Sequence, residues 1–381
     1  MRIILDARPL LGAYKTGVGE YSAGLFAALL RAGSPHEYLF FVNAWRQPLI
    51  SPAWTTARSR TISTRYPNKL LSLALATTGR PYLDRLVAAR AGWKQADIFF
   101  SPNLHFTAVS PATAQVLLLH DLSFELFPYL FSARQRLWHR ALNPRQQCQR
   151  ARLIFVPSAN TKRDLCQHYG LREEKIEVLS PGVPEGMGCT PLSPRAVRQK
   201  YGLPEKYILF VGTIEPRKNV DGLIRAFELC ADQLPGYGLV LAGAPGWQSG
   251  RLVQRAAASR QARRIIFTGY VDPAEKAALY AGADVFVFPS WYEGFGFPVL
   301  EAMAAGLPVI TSSRSSLSEV AGAAAYYINP HQPDEIAAGI VELLGNNPRR
   351  ERLAALGRQR AAGFTWTTTA QEWLHNVQRL A

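Results

Sequence analysis

The alternation of two kinds of segment constrains the fold of this chain most. Short runs of β-branched and aromatic residues alternate with longer amphipathic stretches, as in α/β proteins whose parallel strands are joined by helices. The two clearest helical stretches in the first half are Gly19–Arg31 and Ser132–Cys148. The predicted strands of that half are Ile3–Leu5, Tyr38–Val42, Ile98–Ser101, Gln115–Leu119 and Leu153–Pro157.

The alternation is interrupted once and then begins again. The segment 180–188 is rich in proline and glycine, as linkers are. A helix over Val220–Leu234 and an amphipathic helix over Phe364–Leu380 follow it. The predicted strands of the second half are Tyr207–Gly212, Gly238–Ala242, Ile265–Thr268, Asp284–Pro289 and Pro308–Thr311.

This organisation predicts an α/β protein of two doubly wound, Rossmann-like domains. A length of 381 residues also fits two domains. We expect an N-terminal domain over 1–182 and a C-terminal domain over 183–363, with the helix 364–381 packing back on the first. Two such domains facing each other would bind a ligand in a cleft, at the carboxyl ends of their strands.

Composition excludes several classes of protein. With 48% hydrophobic and 19% charged residues, the chain is not intrinsically disordered. No apolar run approaches the ~18–20 residues of a membrane span. The charge at Asp6 follows too few apolar residues for a signal peptide. The four cysteines (Cys148, Cys166, Cys189 and Cys230) are widely separated, which predicts no structural zinc and a cytoplasmic location.

The net charge of +15 is concentrated in the first part of the chain. Residues 1–150 contain 18 Lys and Arg against 7 Asp and Glu. Such a surplus attracts nucleic acid, anionic lipid or phosphorylated substrates, or it simply keeps the protein soluble. Charge alone does not decide between these interpretations.

The strongest local signal is the segment 290–306, where a predicted strand ends, a glycine-rich loop follows and Pro298 suits the start of a helix. Glu293 would lie in the loop and Glu301 in the first turn of the helix. The backbone N–H groups around Gly294, Phe295 and Gly296 could hold a phosphate. Two carboxylates beside an anion-binding loop suit a nucleotide-sugar, although a helix start with ordinary acidic residues would look the same.

A second signal lies at the other strand–helix junction, 210–220. Arg217 and Lys218 there could bind a diphosphate, the arginine as a fork and the lysine as a point charge. The alternative is a solvated basic turn.

Two weaker signals lie in the first domain. Gly17 and Gly19 precede the first helix and would let backbone approach a phosphate, but Ser22 replaces the third glycine of a dinucleotide fingerprint. His120 follows a buried strand and could contact a sugar hydroxyl or move a proton. Asp121 would orient its ring or cap the next turn. A lone histidine at such a position can equally be structural.

The absence of several sequence motifs restricts the kinds of catalytic site that this chain can form. None of the ten aspartates forms an Asp-x-Asp pair, so a metal-bridged diphosphate site has no obvious ligands. P-loop, H-E-x-x-H and G-x-S-x-G motifs are also absent. We therefore expect no metal and no cofactor, with a diphosphate leaving group stabilised by Lys, Arg and helix N-termini.

Together these segments resemble the retaining GT-B glycosyltransferases of family 4. Glu293 and Glu301 match the E-x7-E motif of that family, and Gly212 to Asn219 resembles its diphosphate-binding loop. Ser158-x3-Lys162 and Pro181-Gly182-Val183 match its mid-chain landmarks. The resemblance runs from Gly17 to the Phe364–Trp366 segment.

The resemblance implies a role for each site residue. Glu301 would bind the nucleotide ribose and Glu293 the hydroxyls of the donor sugar. Lys218, helped by Arg217, would hold the diphosphate, and His120 would contact the sugar near the reacting carbon. Gly17 and Gly19 would let the loop of the first domain close over the phosphates and the acceptor. Many relatives carry Arg after the glycine at 212, whereas this chain has Thr213, so its role in phosphate binding is open.

The resemblance further implies metal-independent transfer with retention of configuration. It is strongest to bacterial mannosyl- and rhamnosyltransferases of O-antigen and exopolysaccharide assembly. That implies a nucleotide-sugar donor, with GDP-mannose the best candidate, and a saccharide acceptor linked to polyprenyl diphosphate.

A basic stretch in the first domain fits such an acceptor. Its residues 58–94 contain one acid, Asp84, interleaved aromatic side chains and the apolar run Leu70–Ala76. This pattern predicts peripheral binding to anionic lipid on the inner face of the plasma membrane. The basic residues are Arg58, Arg60, Arg65, Lys69, Arg80, Arg85, Arg90 and Lys94, and the aromatic residues are Trp54, Tyr66, Tyr82 and Trp93.

Three other functions remain open at this point. A nucleotide-sugar 2-epimerase of the same architecture would consume donor without an acceptor. A non-enzymatic nucleotide-sugar sensor would need no acceptor groove. A nucleic-acid or polyanion binder would fit the charge, but no reader motif supports it, and we expect no nucleic-acid partner.

Overall fold

The computed structural model describes residues 1–12, 16–45, 54–188 and 192–380, and divides them into two compact α/β units. The first unit comprises Met1–Phe124, Ala133–Gly182 and Thr365–Ala381, and the second comprises Glu125–Ser132 and Val183–Phe364. Of the cysteines, Cys148, Cys166 and Cys230 are free thiols, and Cys189 lies outside the described residues.

The first unit is built on a parallel sheet of seven strands in the order β3-β2-β1-β4-β5-β6-β7. Its inner strands are buried almost throughout, because helices cover both faces of the sheet. The strands are β1 (Arg2–Asp6), β2 (Glu37–Asn43), β3 (Ser59–Thr64), β4 (Ile98–Ser101), β5 (Ala114–Leu118), β6 (Leu153–Val156) and β7 (Ile176–Val178).

The second unit repeats this plan with six parallel strands in the order β10-β9-β8-β11-β12-β13. One apolar core fills both faces of the sheet. The strands are β8 (Lys206–Val211), β9 (Tyr237–Ala242), β10 (Ile265–Gly269), β11 (Val285–Phe288), β12 (Val309–Ser312) and β13 (Ala325–Ile328).

Helices lie in most of the described connections between strands, although the connection from β4 to β5 contains none. In the first part of the chain they are α1 (Gly17–Arg31), α2 (Asn68–Thr78), α3 (Leu83–Arg90), α4 (Ser123–Leu126), α5 (Ala133–Leu142), α6 (Pro144–Arg150) and α7 (Ala159–Tyr169). The remaining helices are α8 (Pro194–Tyr201), α9 (Val220–Cys230), α10 (Ser249–Ala257), α11 (Pro273–Ala281), α12 (Phe297–Ala304), α13 (Leu317–Ala321), α14 (Pro333–Gly345), α15 (Asn347–Ala362) and α16 (Trp366–Gln378).

The last helix, α16, belongs to the first unit and packs against α1. The indole of Trp373 is fully buried, 5.5 Å from the ring of Phe100. Trp366 lies edge-on to Tyr21, and a Cβ at Gly24 would come within 2.3 Å of its ring. Glycine at position 24 therefore lets the two helices approach this closely.

The predicted fold class is confirmed: both units are doubly wound parallel sheets of the Rossmann type. Three strands were not predicted from the sequence, namely β3, β7 and β13. All three lie at the edge of a sheet, where a strand is covered less and carries a weaker apolar signal.

Two predicted boundaries were wrong. The helix expected over Ser132–Cys148 is two helices, because Asn143 takes a left-handed conformation (φ 47°) and caps α6, which begins at Pro144. The segment Glu125–Ser132, expected in the first domain, groups with the second unit, where the ring of Phe127 lies 5.4 Å from that of Tyr292.

Candidate functional site

The order of strands in the second sheet reverses between β8 and β11. In doubly wound sheets ligands bind at such a switch point, outside the carboxyl ends of the two strands. The loop after β8 contains Arg217 and Lys218, and the loop after β11 contains Glu293. The sheet therefore brings together side chains that are 75 residues apart in sequence.

The loop after β8 buries the ammonium of Lys218. Pro216–Lys218 forms a 3-10 turn, and Asn219 follows it in a left-handed conformation (φ 55°). The amide of Asn219 donates to the carbonyl oxygens of Pro289 and Pro330, which fixes the turn against the neighbouring loops. Lys218 is only 8% exposed as a result, and its ammonium lies 5.0 Å from the centre of the Phe288 ring.

Glu293 lies between the two cations of that turn. Its oxygens accept from Lys218 Nζ at 2.7 and 2.8 Å, and Arg217 Nη1 donates to Oε2 at 2.8 Å. Arg217 also pairs with Glu215 at 3.0 Å and donates to the carbonyl oxygen of Tyr292. Two cations and two carboxylates thus form a cluster that is neutral overall.

Burial and neighbouring charges together set the pKa values of Glu293 and Lys218. Burial alone would raise the pKa of Glu293, but the Arg217 guanidinium and the Lys218 ammonium outweigh it and hold that pKa below its usual value. Burial, assisted by the positive charge of Arg217, lowers the pKa of Lys218. An anionic ligand would oppose that change and favour the protonated lysine.

The loop that carries Glu293 is held by the loop after β12. The backbone N–H of Glu293 donates to the hydroxyl of Ser315, and the hydroxyl of Ser316 donates to the carbonyl oxygens of Glu293 and Phe295. These hydrogen bonds fix the backbone of the loop and hence the position of the carboxylate. The two serines were not identified from the sequence, where no motif marks them.

The glycine-rich loop leads into α12. Gly296 caps this helix with φ 102°, a conformation that favours glycine, and Leu317 packs against it. Gly294 is buried. The side chain of Phe295 packs against Phe297 and Phe364, so only its backbone can serve the ligand-binding role predicted for it. Thr213, after β8, is exposed.

The sequence predicted Glu301 in the first turn of its helix. The residue lies in the second turn, because α12 begins at Phe297. The residue is fully buried. Its Oε1 forms an ion pair with Lys276 Nζ at 2.5 Å, and its Oε2 accepts from the hydroxyl of Tyr280 at 2.8 Å. Both partners lie on α11, one helical turn apart, and sequence analysis missed them because neither belongs to a recognisable motif.

In the first unit, His120 follows β5 and Asp121 caps the next turn. The ring Nε2 of His120 lies 2.9 Å from the carbonyl oxygen of Pro102, so Nε2 carries the proton and Nδ1 is left as the acceptor. Burial lowers the pKa of His120, which keeps the ring neutral near pH 7. Asp121 accepts from the N–H and hydroxyl of Ser123.

Gly17 and Gly19 form the first turn of α1 instead of preceding it. The N–H of Gly19 donates to the hydroxyl of Thr16, the N-cap of the helix. The hydroxyl of Ser22 donates to the carbonyl oxygen of Val18. The preceding residues, 13–15, lie outside the described part of the chain.

Two Rossmann-like units with a charged cluster at a switch point define the class: this is the GT-B fold of glycosyltransferases. Sucrose-phosphate synthase of Thermosynechococcus elongatus has a TM-score of 0.79 at 21% identity, covering 100% of this chain and 99% of its own. HepE of Anabaena, solved with UDP-glucose, has a TM-score of 0.72 at 18% identity, covering 100% of both chains.

The chain belongs to glycosyltransferase family 4. The family model described as Glycosyltransferase Family 4 matches residues 15–185, and that of Glycosyl transferases group 1 matches residues 195–360. The O-antigen chain mannosyltransferase B of Escherichia coli is 30% identical over 394 residues, covering 100% of both chains. The protein is therefore a glycosyltransferase.

Proposed function

We propose that this enzyme transfers mannose from GDP-mannose, with retention of configuration, to a saccharide acceptor linked to polyprenyl diphosphate. Its product would be part of a surface polysaccharide. The observation that carries the proposal is the buried cluster of Lys218, Arg217 and Glu293 at the switch point of the second sheet. The choice of mannose is supported by the full-length similarity to an O-antigen mannosyltransferase.

The cluster suits a ligand that carries both phosphates and hydroxyls. A diphosphate would take Lys218 and Arg217 as its counter-charges and release Glu293 to accept from hydroxyls of the donor sugar. The backbone of the Gly294–Gly296 loop would add N–H donors. Glu301 would accept from the ribose hydroxyls, in addition to its contacts with Lys276 and Tyr280, because an ionised carboxylate has about four acceptor positions.

The residues of the first unit would act on the sugar and the acceptor. The neutral His120 presents Nδ1 as an acceptor for a hydroxyl near the reacting carbon. Gly17 and Gly19, in the first turn of α1, would let the main chain approach the phosphates.

In the reaction, the bond between the anomeric carbon and the diphosphate oxygen breaks as the acceptor oxygen bonds to that carbon on the same face. The acceptor proton passes to an oxygen of the leaving diphosphate. Lys218 and Arg217 stabilise the charge that develops there, and we propose that no metal ion is needed. No carboxylate acts as a nucleophile, so intact-mass analysis should find no glycosyl-enzyme, whereas a trapped adduct on Glu293 would contradict this step.

We also propose that the enzyme associates peripherally with an anionic membrane, where a lipid-linked acceptor would be found. Among the described residues, no helix has the length and apolarity needed to cross a bilayer. In the basic stretch, Leu70 and Leu73 of α2 are 63% and 60% exposed, and Tyr66 is 42% exposed. Trp93 is buried, so it supports the fold and not the surface.

The direct test measures GDP release from GDP-mannose with and without acceptor, in EDTA. Release and glycan extension that both require acceptor would support the transferase. Consumption of the donor without acceptor would indicate the 2-epimerase, and donor binding without turnover would indicate a sensor. NMR of the product would establish the anomeric configuration.

Two variants assign the roles of the cluster. Glu301→Ala should mainly raise the KM for the donor, and Lys218→Ala should mainly lower kcat. Lys200→Ala is the matched control, since Lys200 also pairs with a glutamate of the second unit but is exposed. A change in kcat/KM of less than about twofold (~0.4 kcal/mol) in either variant would contradict its assignment.

A further inference from the structure

Helix α5 (Ala133–Leu142) leaves two large apolar side chains uncovered. Leu137 is 68% exposed and Trp138 is 43% exposed. Two residues anchor the helix to the rest of the first unit. Leu142 is buried, and the ring of His139 stacks on that of Phe124 at 4.3 Å. Exposed leucine and tryptophan next to each other on one short helix point to a surface that is covered in use.

The spacing of residues in α5 gives that surface an apolar centre and a basic border. Ala133, Leu137 and Ala141 are all exposed, and their spacing of four residues places them along one stripe of the helix. Arg134 and Arg140 flank this stripe on opposite sides. An apolar stripe bordered by arginines is the pattern of helices that lie in the boundary between water and lipid.

The segment of the sequence that contains α5 carries charge of one sign. Residues 126–163 contain eight Lys and Arg and no Asp or Glu. Among the residues that the structure describes, the side chains of Arg134, Arg136 and Arg140 form no ion pair and no hydrogen bond. Their charges are therefore available to an anionic partner.

The topology places α6, which follows α5 directly, on the same face of the first sheet as α2. The connection from β3 to β4, which contains α2, and the connection from β5 to β6, which contains α5 and α6, cross the sheet in the same direction. Since such connections are right-handed, α2 and α6 cover the same face. In agreement, α2 and α6 line one cavity of about 1090 Å³.

We propose that α5 is a second membrane-contacting element, which binds an anionic phospholipid surface together with α2. This inference deepens the membrane association proposed above and rests on it. The exposed leucines would enter the interface, while the arginines bind lipid phosphates. A second copy of this chain fits less well because it would bring its own net charge of +15 against the arginines. A nucleic acid would leave the leucines in water.

The test is co-sedimentation with vesicles of phosphatidylglycerol mixed into phosphatidylcholine, compared with phosphatidylcholine alone. Each arginine should contribute roughly fivefold in affinity for the anionic vesicles, so a triple change of Arg134, Arg136 and Arg140 to Gln should cost on the order of a hundredfold. Leu137→Ser should cost on the order of tenfold.

Matched controls come from the second unit. Leu229 is 54% exposed and Trp247 is 42% exposed, so Leu229→Ser and Trp247→Phe remove similar surface away from α5. Anionic vesicles should shift the tryptophan emission of the parent and of Trp247→Phe to shorter wavelength. The shift should be smaller for Trp138→Phe, which lacks the tryptophan of α5. Circular dichroism and thermal unfolding verify that each variant is folded.

The outcomes separate this inference from the membrane association that it extends. Loss of binding in the α5 variants and in Leu70→Ser would support both. Loss in Leu70→Ser with parent-like binding of the α5 variants would overturn the role of α5 alone. Equal binding of the parent to neutral and anionic vesicles would overturn both. A dimer dissolved by Leu137→Ser, or α5-dependent binding to nucleic acid but not to vesicles, would overturn the lipid assignment.

Discussion

Replacing Lys276 with methionine should destabilise the second unit strongly, although the lysine lies outside every motif. Lys276 neutralises Glu301, a carboxylate with no exposed surface, from a distance of 2.5 Å. Removing one partner of a buried ion pair leaves the other charge uncompensated and typically costs about 3–5 kcal/mol. The variant keeps the length of the side chain, so the loss of charge dominates.

Protonation of Glu301 sets an upper limit to this cost. At pH 7 a buried glutamate can become neutral for about 3.7 kcal/mol, since its unfolded-state pKa lies near 4.3 and each pH unit corresponds to ~1.36 kcal/mol. The hydroxyl of Tyr280 continues to donate to Oε2 and reduces the penalty. We therefore expect a loss of about 2–3 kcal/mol, or about 4–12 °C in the unfolding midpoint of a unit of this size.

Calorimetry of Lys276→Met and of two further variants measures the cost of the unpaired Glu301 charge. Glu301→Gln should cost about 1 kcal/mol, because the Lys276 ammonium, which is 13% exposed, can turn toward water. The double variant Lys276→Met/Glu301→Gln should be more stable than Lys276→Met, since no charge remains buried.

The pH dependence gives an independent check. In Lys276→Met the Glu301 carboxylate is buried without its counter-charge, and protonation relieves this penalty, so the defect should grow as the pH rises from about 4 to 7. A defect that does not depend on pH, or a double variant less stable than Lys276→Met, would show that an uncompensated charge on Glu301 is not the cause of the defect.

Three further outcomes follow from individual residues. Burial holds the pKa of His120 below 6.5, so kcat/KM should fall on the acid side only below that pH, and an unchanged acid limb in His120→Gln would contradict this. Glu293 has a folded-state pKa below 4.5, so its contribution to stability should be present above that pH and disappear as the pH falls; calorimetry of Glu293→Gln should show a flatter acid dependence than the parent. Gly24→Ala, which ordinarily stabilises a helix by about 1 kcal/mol, should here lower the unfolding midpoint, because the new methyl meets Trp366 at 2.3 Å and overpacking costs about 1–3 kcal/mol.

The sequence was sufficient to predict the two Rossmann-like units, because buried parallel strands carry continuous apolar runs. It was insufficient for β3, β7 and β13, whose edge positions require fewer apolar residues. It also missed the break at Asn143, where a single left-handed residue before a proline divides one apparent helix into two.

For the site, the sequence identified the loops after β8 and β11, since both follow clear strands. It could not show that these strands are neighbours, which is what places Lys218 beside Glu293. Nor could it identify Lys276 and Tyr280, because the approach of α11 to α12 is determined by packing. Their contact with Glu301 changes the interpretation of that residue from a carboxylate at a helix start to a buried carboxylate that is paired with a lysine and accepts from a tyrosine hydroxyl.

The most direct test is thermal unfolding of the parent and of Glu301→Ala with GDP, UDP, dTDP, ADP and their common sugar conjugates, all in EDTA. A ligand at 100 times its Kd adds about 2.7 kcal/mol, which is several degrees here. We expect GDP and GDP-mannose to raise the midpoint of the parent without metal, and Glu301→Ala to lose most of this shift. A shift that requires a divalent metal, a shift that persists in Glu301→Ala, or no shift with any of these nucleotides would contradict a metal-free nucleotide-sugar site in the second unit.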